Sequence, residues 1–212
     1  MESSILDSTT ASLDAALVPL GPIVRLQVQT ASLKQGPKPH RWYEPAAIRS
    51  VPELLLDDGG ATGFDGEPIA DVHHRSHPHT KFRGENGLSI GFTGHYARIR
   101  DRYGEFLADG IAGENILVDA GRVFSEDDLA GGLMIVGNGR RVSIGQVVVA
   151  PPCVEFIRFC AGYGPERQSD RVVTEALQFL HQGMRGFYAT LAGPLPSPVR
   201  IAVGDMVYLR RG

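Results

Sequence analysis

Cys153 stands directly after Pro151-Pro152, at the end of the apolar run Gln146-Val147-Val148-Val149-Ala150. A strand that stops at two prolines and then delivers a thiol holds one sulfur in a fixed place, because proline ends the ladder. The thiolate is the reactive form of cysteine, and an ordinary cysteine has a pKa of about 8.5, so reactivity requires nearby positive charge or hydrogen-bond donors. Arg158 is close in sequence; His73, His74, Lys81 and Arg83 are candidates to be close in space. The same residue also reads as a small buried hydrophobe, since free cysteine is among the most buried residue types. Two cysteines in 212 residues are not a scaffold, and no disulfide is expected between Cys153 and Cys160 in a reducing compartment.

The stretch Asp71-Val72-His73-His74-Arg75-Ser76-His77-Pro78-His79 packs four histidines closely together, a density that metal sites use. On a strand His73, His77 and His79 share a face and His74 does not, but Pro78 breaks that regularity and no second Cys/His cluster follows. An anion-binding loop is the stronger reading, because the histidines, Arg75, Lys81 and Arg83 supply donors and positive charge. A solvated basic loop stands beside it. Gly113-Glu114-Asn115 is a third candidate: glycine allows a tight turn, and Glu and Asn bind backbone groups across a gap. Bracing and ligand contact are equally open for it. Walker A, Gly-x-Gly-x-x-Gly, His-Glu-x-x-His and Gly-x-Ser-x-Gly patterns are absent, and no His/Asp constellation for acyl transfer is visible.

The elements that must hold these residues are short. The 26 glycines and 14 prolines divide the chain into segments that favour strands and turns over a helical bundle. Residues 1–20 read as a loose N-terminal tail, and 21–212 as a single domain. Residues 23–30 alternate as a strand with one wet face carrying Arg25, Gln27 and Gln29. Residues 34–70 read as irregular, with a turn at 59–63 and with Trp42 and Tyr43 as anchors to the core. Thr93 is placed as the N-cap of a helix ending near Leu107, whose apolar face is Tyr96, Ile99, Tyr103 and Phe106. Strands follow at 116–118, 133–136 and 141–150, the last two joined by the turn Gly137-Asn138-Gly139. Ser169 or Asp170 caps a second helix with the stripe Val173, Ala176, Leu177 and Leu180, ended by Gly183. Short strands at 186–191 and 199–209 complete the pattern. Many strands, two helices and one core describe a mainly β protein, a β-barrel decorated with helices.

Composition narrows the function classes. A hydrophobic content of 42% and a charged content of 21% are ordinary for a globular protein, and ~70% of the unfolded surface is buried at this length. The net charge of -3 gives no footprint for nucleic acid and no polybasic membrane signal. No apolar run approaches the roughly 20 residues of a membrane helix. Met1-Glu2-Ser3-Ser4 does not begin a signal peptide, so a cytoplasmic location is expected.

Taken in order, these segments resemble a MOSC domain, named for the C-terminal domain of molybdenum cofactor sulfurase. The resemblance is carried by Asp71-Val72-His73-His74, the helix with His95-Tyr96, and Gly110-Ile111-Ala112-Gly113-Glu114-Asn115-Ile116. The hairpin ending in Pro151-Pro152-Cys153, then Gly183-Met184-Arg185-Gly186-Phe187-Tyr188, and finally Val203-Gly204-Asp205 complete it. It covers most of residues 70–210; each motif is weak alone and the ordered set is fairly specific. The histidine region is richer in His than the family's usual Asp-x-His pattern. The resemblance implies a closed β-barrel, like the pyruvate-kinase barrel domain, with a few peripheral helices. It implies a sulfur-related role centred on one cysteine, carrying a persulfide or holding the molybdenum cofactor, and Cys153 is the matching position, as sulfur carrier or molybdenum ligand. His73, Lys81, Glu114, Asn115 and Arg185 follow as candidate cofactor-binding residues.

Stand-alone bacterial members resemble proteins that reduce N-hydroxylated compounds. The sulfurase's pyridoxal-phosphate domain has no counterpart here, and no lysine sits in a Schiff-base setting, so no pyridoxal phosphate is expected in this chain. The cofactor's chemistry agrees with the residues: an anionic pterin phosphate with a dithiolene-bound metal requires a thiolate and cationic donors. The expected partners are that cofactor or a small ligand and a redox or sulfur-donor protein, with neither nucleic acid nor membrane. Two other readings stay open: a non-catalytic β-barrel module for a small anion or partner protein, and a metal protein built on the histidine loop.

Overall fold

The computed structural model describes residues 17–163 and 170–211. The described strands are, in chain order, β1 Leu17–Gln29, β2 Lys34–Gln35, β3 Trp42–Tyr43, β4 Ile48–Val51, β5 Glu53–Asp57, β6 Gly60–Asp65 and β7 Glu67–Ala70. Then come β8 Leu88–Phe92, helix α1 Thr93–Tyr103, β9 Ile116–Val118, β10 Leu133–Gly137 and β11 Arg140–Val149. Helices α2 Val154–Cys160 and α3 Asp170–Phe179 precede β12 Phe187–Leu191, β13 Val199–Ala202 and β14 Met206–Arg210.

Seven strands close a barrel in the order β14-β10-β11-β12-β8-β9-β1, with β1 returning to pair with β14. The fold is thus mainly β, a closed barrel with a few short peripheral helices. Its pairings are antiparallel except β8 with β9, and a parallel neighbour requires a crossover; α1 lies in that crossover. Closure leaves no open edge in the barrel. β1 is long and bulged, between Pro19 and Gly21 and between Ile23 and Arg25. Its first half pairs with β14 and its second half with β9 and β4. Bulges bend a strand, and this one serves the barrel at both ends. Residues 17–20, expected in a loose tail, lie in this strand; residues 1–16 lie outside the described residues.

The alternation in β1 does not mark a wet face. Gln27 and Gln29 are buried, and their amides donate to the Gly110 and Gly113 carbonyls at 2.7 and 2.8 Å. A polar strand face is thereby covered by the loop that carries Glu114 and Asn115. Residues 34–70 are not irregular either: β5, β6, β7 and β13 form a second sheet. Leu54 and Leu56 point into the core in period 2, and the turn is Asp58-Gly59 rather than 59–63. The glycines of β6 hide the strand in the sequence, but they belong to the packing. A Cβ on Gly63 would stand 3.0 Å from Val51 and 3.1 Å from Val28.

The helices differ in detail. Thr93 does not cap α1; its hydroxyl donates to Asp119 and accepts the Ala120 amide, both at 3.0 Å. α1 stops at Tyr103 because Gly104 turns to φ 111, and Phe106 is exposed rather than part of the stripe. α2 is an extra helix, too short to show a period; it buries Phe156, Ile157 and Cys160. α3 buries Ala176 and is followed by buried Leu180, with Gly183 ending the turn at φ 84. Asp170 is its first residue, and Ser169 lies outside the described residues. Of the two expected anchors Tyr43 is buried, its hydroxyl donating to the Ile111 carbonyl at 2.7 Å, and Trp42 is exposed. The Asn138-Gly139 turn has both residues at positive φ, as a two-residue hairpin favours. Among the described residues no helix is long and apolar enough to cross a membrane.

His95 ties α1 to the segment that enters β12. Its Nε2 accepts the Phe124 amide and its Nδ1 donates to the Gly183 carbonyl, both at 2.8 Å. That arrangement uses both nitrogens of a neutral ring. Burial pushes its pKa down to about 4, against the weaker upward pull of the Gly183 bond. The unfolded chain therefore takes up this proton near pH 6.5, while the folded chain resists it until about pH 4. Stability falls as pH drops through that window, by roughly 3 kcal/mol from this one group. Denaturant midpoints should decline between pH 6.5 and pH 4, with the His95 ring neutral by NMR at pH 5. A flat midpoint, or a ring that titrates near 6.5, would contradict this account.

Candidate functional site

The ladder of β11 makes its last bond from the Ala150 amide to the Gly186 carbonyl at 3.0 Å. Pro151 and Pro152 carry no amide hydrogen, so the pairing ends there. Cys153 follows in extended conformation, and its carbonyl accepts the Ile157 amide at 3.1 Å to start α2. Its side chain is half-buried and makes no capping bond. The two prolines and the first helical turn thus hold the thiol between two rigid elements.

Cys153 lines a cleft of about 620 Å³. The histidine loop contributes His73, Lys81 and Arg83; the segment after β1 contributes Ser32, Lys34, Arg41 and Tyr43; and the entry to β12 contributes Arg185 and Tyr188. Of the six residues read from the sequence, Cys153, His73, Lys81 and Arg185 meet here. Glu114 and Asn115 do not line the cleft; they are 3% and 2% exposed behind it. Ser32, Lys34, Arg41, Tyr43 and Tyr188 were not among those six. For the first four the available signal was a basic loop rich in Gly and Pro, the kind of segment on which binding residues concentrate, whereas Tyr188 lies in β12.

The cleft is strongly cationic. Lys34, Arg41, Lys81, Arg83 and Arg185 line it, and none of its lining residues is a carboxylate. Lys34 has a distant partner in Glu155 at 3.9 Å, and Lys81 donates to the Ser32 hydroxyl at 3.0 Å. Burial works against the charge of Arg185, but Tyr188, Tyr43, Cys153 and Glu114 outweigh it and hold this guanidinium above the usual arginine range. Its Nη2 donates to the Ala112 carbonyl at 3.3 Å, while its Nε is enclosed without a hydrogen-bond partner. Gly186 must follow: at φ 100, a Cβ there would stand 2.9 Å from the Ile90 carbonyl.

Behind Arg185, the Glu114 carboxyl receives the Tyr96 hydroxyl at 2.8 and 2.7 Å, and that hydroxyl accepts the Ala112 amide at 3.0 Å. Burial pushes Glu114 above the ordinary carboxylate range, although Tyr96 and Arg185 both pull it down. Asn115 connects to the cleft through Asp71. The Asp71 carboxylate is fully buried and accepts four bonds. One oxygen takes the Gln29 amide at 2.7 Å and the Asn115 side-chain amide at 2.9 Å. The other takes the His73 amide at 2.8 Å and the His73 Nδ1 at 3.0 Å. With Nδ1 donating, neutral His73 has its lone pair on Nε2.

Other sequence readings fall elsewhere. The histidine segment is a loop, not a strand, so His73, His77 and His79 share no face. Among the described residues no three of His, Cys, Asp and Glu group to hold a metal ion. A Ser/His/Asp chain does exist, although none was visible in the sequence. His74 bonds Asp57 through Nε2 at 3.0 Å and the Ser76 hydroxyl through Nδ1 at 2.7 Å. The Ser76 amide also donates to that Nδ1, and Arg75 donates its amide to Gly59. These bonds pin the loop to the β5–β6 turn. Cys160 is a free thiol, wholly buried, and burial pushes it up to about 12.

No family model matches the chain, and no curated protein matches it. Solved structures do. The YuaD protein from Bacillus subtilis is 15% identical with a TM-score of 0.53, covering 88% of this chain and 93% of its own. A structure titled only as a hypothetical protein is 13% identical with a TM-score of 0.50, over 92% of this chain and 70% of that one. YiiM from Geobacillus stearothermophilus is 19% identical with a TM-score of 0.44, over 90% and 76%. At these identities the likeness is one of fold.

The two thiols should separate in native protein. Cys160 is sealed from solvent and burial pushes its thiol up to about 12, so alkylation should label Cys153 and reach Cys160 only on unfolding. Equal labelling of both under native conditions would contradict the burial. Asp71→Asn sets an NH₂ group against two donors in a dry site. It should destabilise the protein by roughly 3 kcal/mol; an unchanged denaturation midpoint would deny Asp71 its bracing role.

Proposed function

We propose that the cleft is a sulfur-handling site: Cys153 carries a persulfide or serves as the thiolate through which the molybdenum cofactor is held. The observation that carries this reading is one accessible thiol facing a cation-lined cleft in a chain of net charge -3. The residues suit an anionic pterin phosphate. The enclosed, unpartnered Nε of Arg185 asks for an acceptor, and Arg41, Lys34, Lys81 and Arg83 offer further donors. Arg185, with His73, would orient the ligand, and Cys153 would supply the soft sulfur that molybdenum prefers. When bound, the cofactor supplies a two-electron redox centre, and the substrate class implied by the family resemblance is N-hydroxylated compounds.

As a carrier, Cys153 works without the cofactor. Its thiolate attacks the outer sulfur of a donor persulfide; the donor's S–S bond breaks and the donor leaves as a thiolate. Attack by an acceptor reverses these bonds and restores the Cys153 thiolate, so no electrons are gained or lost. The surrounding cations stabilise each thiolate as it forms. Glu114 and Asn115 act as positioning residues beneath Arg185 and His73. The competing reading is a non-catalytic module that binds a small anion through the same cations.

Mass spectrometry of native protein decides between them. The expected result is an extra sulfur on the Cys153 peptide or a bound pterin, lost in Cys153→Ser and retained in Cys160→Ala. Arg185→Met should weaken retention of the pterin at least tenfold. Full loading of Cys153→Ser would overturn the thiol's role and leave the anion-binding module. Absence of both sulfur and pterin, with an alkylation-inert Cys153, would do the same.

A further inference from the structure

Arg158, near the end of α2, is 6% exposed. Its Nε is enclosed with no hydrogen-bond partner, and no carboxylate among the described residues pairs with it. The Nε of Arg41 is enclosed and unpartnered in the same way. The two arginines line one small pocket of about 80 Å³, walled by Trp42, Phe159 and Tyr163. Glu155 also lines it, and its ion-pair contact is Lys34, at 3.9 Å. Arg41 and Tyr43 line both this pocket and the Cys153 cleft, so the two are separated by a shared wall.

A guanidinium buried without a counter-charge is costly, and removing one partner of a buried pair leaves that cost in full. Buried Arg158, with the enclosed Nε of half-buried Arg41 beside it, therefore describes a cationic pair with no anionic half among the described residues. Arginine is suited to this because its planar fork meets carboxylate and phosphate oxygens two at a time. We propose that the Arg41–Arg158 pocket binds a small oxyanion, a carboxylate or phosphate group, independently of the Cys153 thiol. The pocket admits the oxyanion and little more. The rest of the ligand lies over Trp42 and Tyr163, which are 46% and 38% exposed and form an aromatic rim.

Trp42 is the only tryptophan in the sequence, so its fluorescence reports this pocket. The full chain is titrated with sodium phosphate and, separately, with sodium acetate, with ionic strength held by sodium chloride. The expected result is a saturable change in Trp42 emission. A response to phosphate alone assigns a phosphate ligand, to acetate alone a carboxylate, and to both an oxyanion site without preference. Arg158→Met should weaken binding at least tenfold, whereas Arg185→Met, in the neighbouring cleft, should keep it. Without oxyanion, Arg158→Met should match or exceed the parent's thermal midpoint, because an apolar side chain of similar length replaces an unpaired buried charge. Arg158→Lys, which keeps the charge but not the fork, should fold and bind weakly. The proposal is overturned if neither anion changes Trp42 emission, if Arg158→Met and Arg158→Lys bind as the parent does, or if Arg185→Met alone abolishes the response. A large drop in the midpoint of oxyanion-free Arg158→Met overturns it too, since the arginine would then have a partner within the fold.

Discussion

One buried carboxylate organises the mouth of this barrel. Asp71 sits just past β7 in a place where an ion without partners would be intolerable. It is kept there by donors from three parts of the chain: the Gln29 amide in β1, the Asn115 side chain before β9, and the backbone amide and ring Nδ1 of His73. Each donor group is fixed in turn by its own element. Asn115 also bonds Ser89 of β8 through its carbonyl, and Gln29 also bonds the Gly113 carbonyl. The second sheet, the barrel and the histidine loop therefore converge on one pair of oxygens. His73 acquires its tautomer from the same contact.

The cleft shows the complementary solution. The buried Asp71 carboxylate is satisfied by hydrogen bonds, whereas the charges around Cys153 share one sign and have no carboxylate among the lining residues. Arg185 links the two regimes. It feels the charge of Glu114, which Tyr96 braces, and it lines the cleft together with the thiol. His95 meanwhile stays neutral, so the segment carrying Gly183 and Arg185 is tethered by a ring that contributes no charge to the cleft at neutral pH. The protein concentrates positive charge at one mouth while its total charge is negative.

Much of the barrel was legible because its strands end in strong punctuation. Asn138-Gly139 and Pro151-Pro152 each declare a boundary through backbone chemistry alone. The second sheet was hidden because Gly60, Ala61 and Gly63 carry almost no hydrophobic signal, although close packing requires them to be small. α2 was hidden because seven residues hold fewer than two full turns of an α-helix. At the site, Cys153 was visible from its neighbours in sequence. Lys34 and Arg41 were not, because a loop residue declares a role only when the fold shows what it faces. Gln27 and Gln29 misled for a related reason: alternation reveals two faces but not that a polar one will be covered by a loop.

The pairing of β1 with β14 joins the first and last described strands. In a chain growing from the ribosome, β1 emerges early and stays unpaired along that edge until β14 follows. Barrel closure is therefore a late, long-range event, which makes folding slow and leaves an adhesive edge exposed meanwhile. Pro19 and Pro22 lie on that waiting stretch of β1. They remove amide donors from it, so they make the nascent edge a poorer template for pairing with another chain.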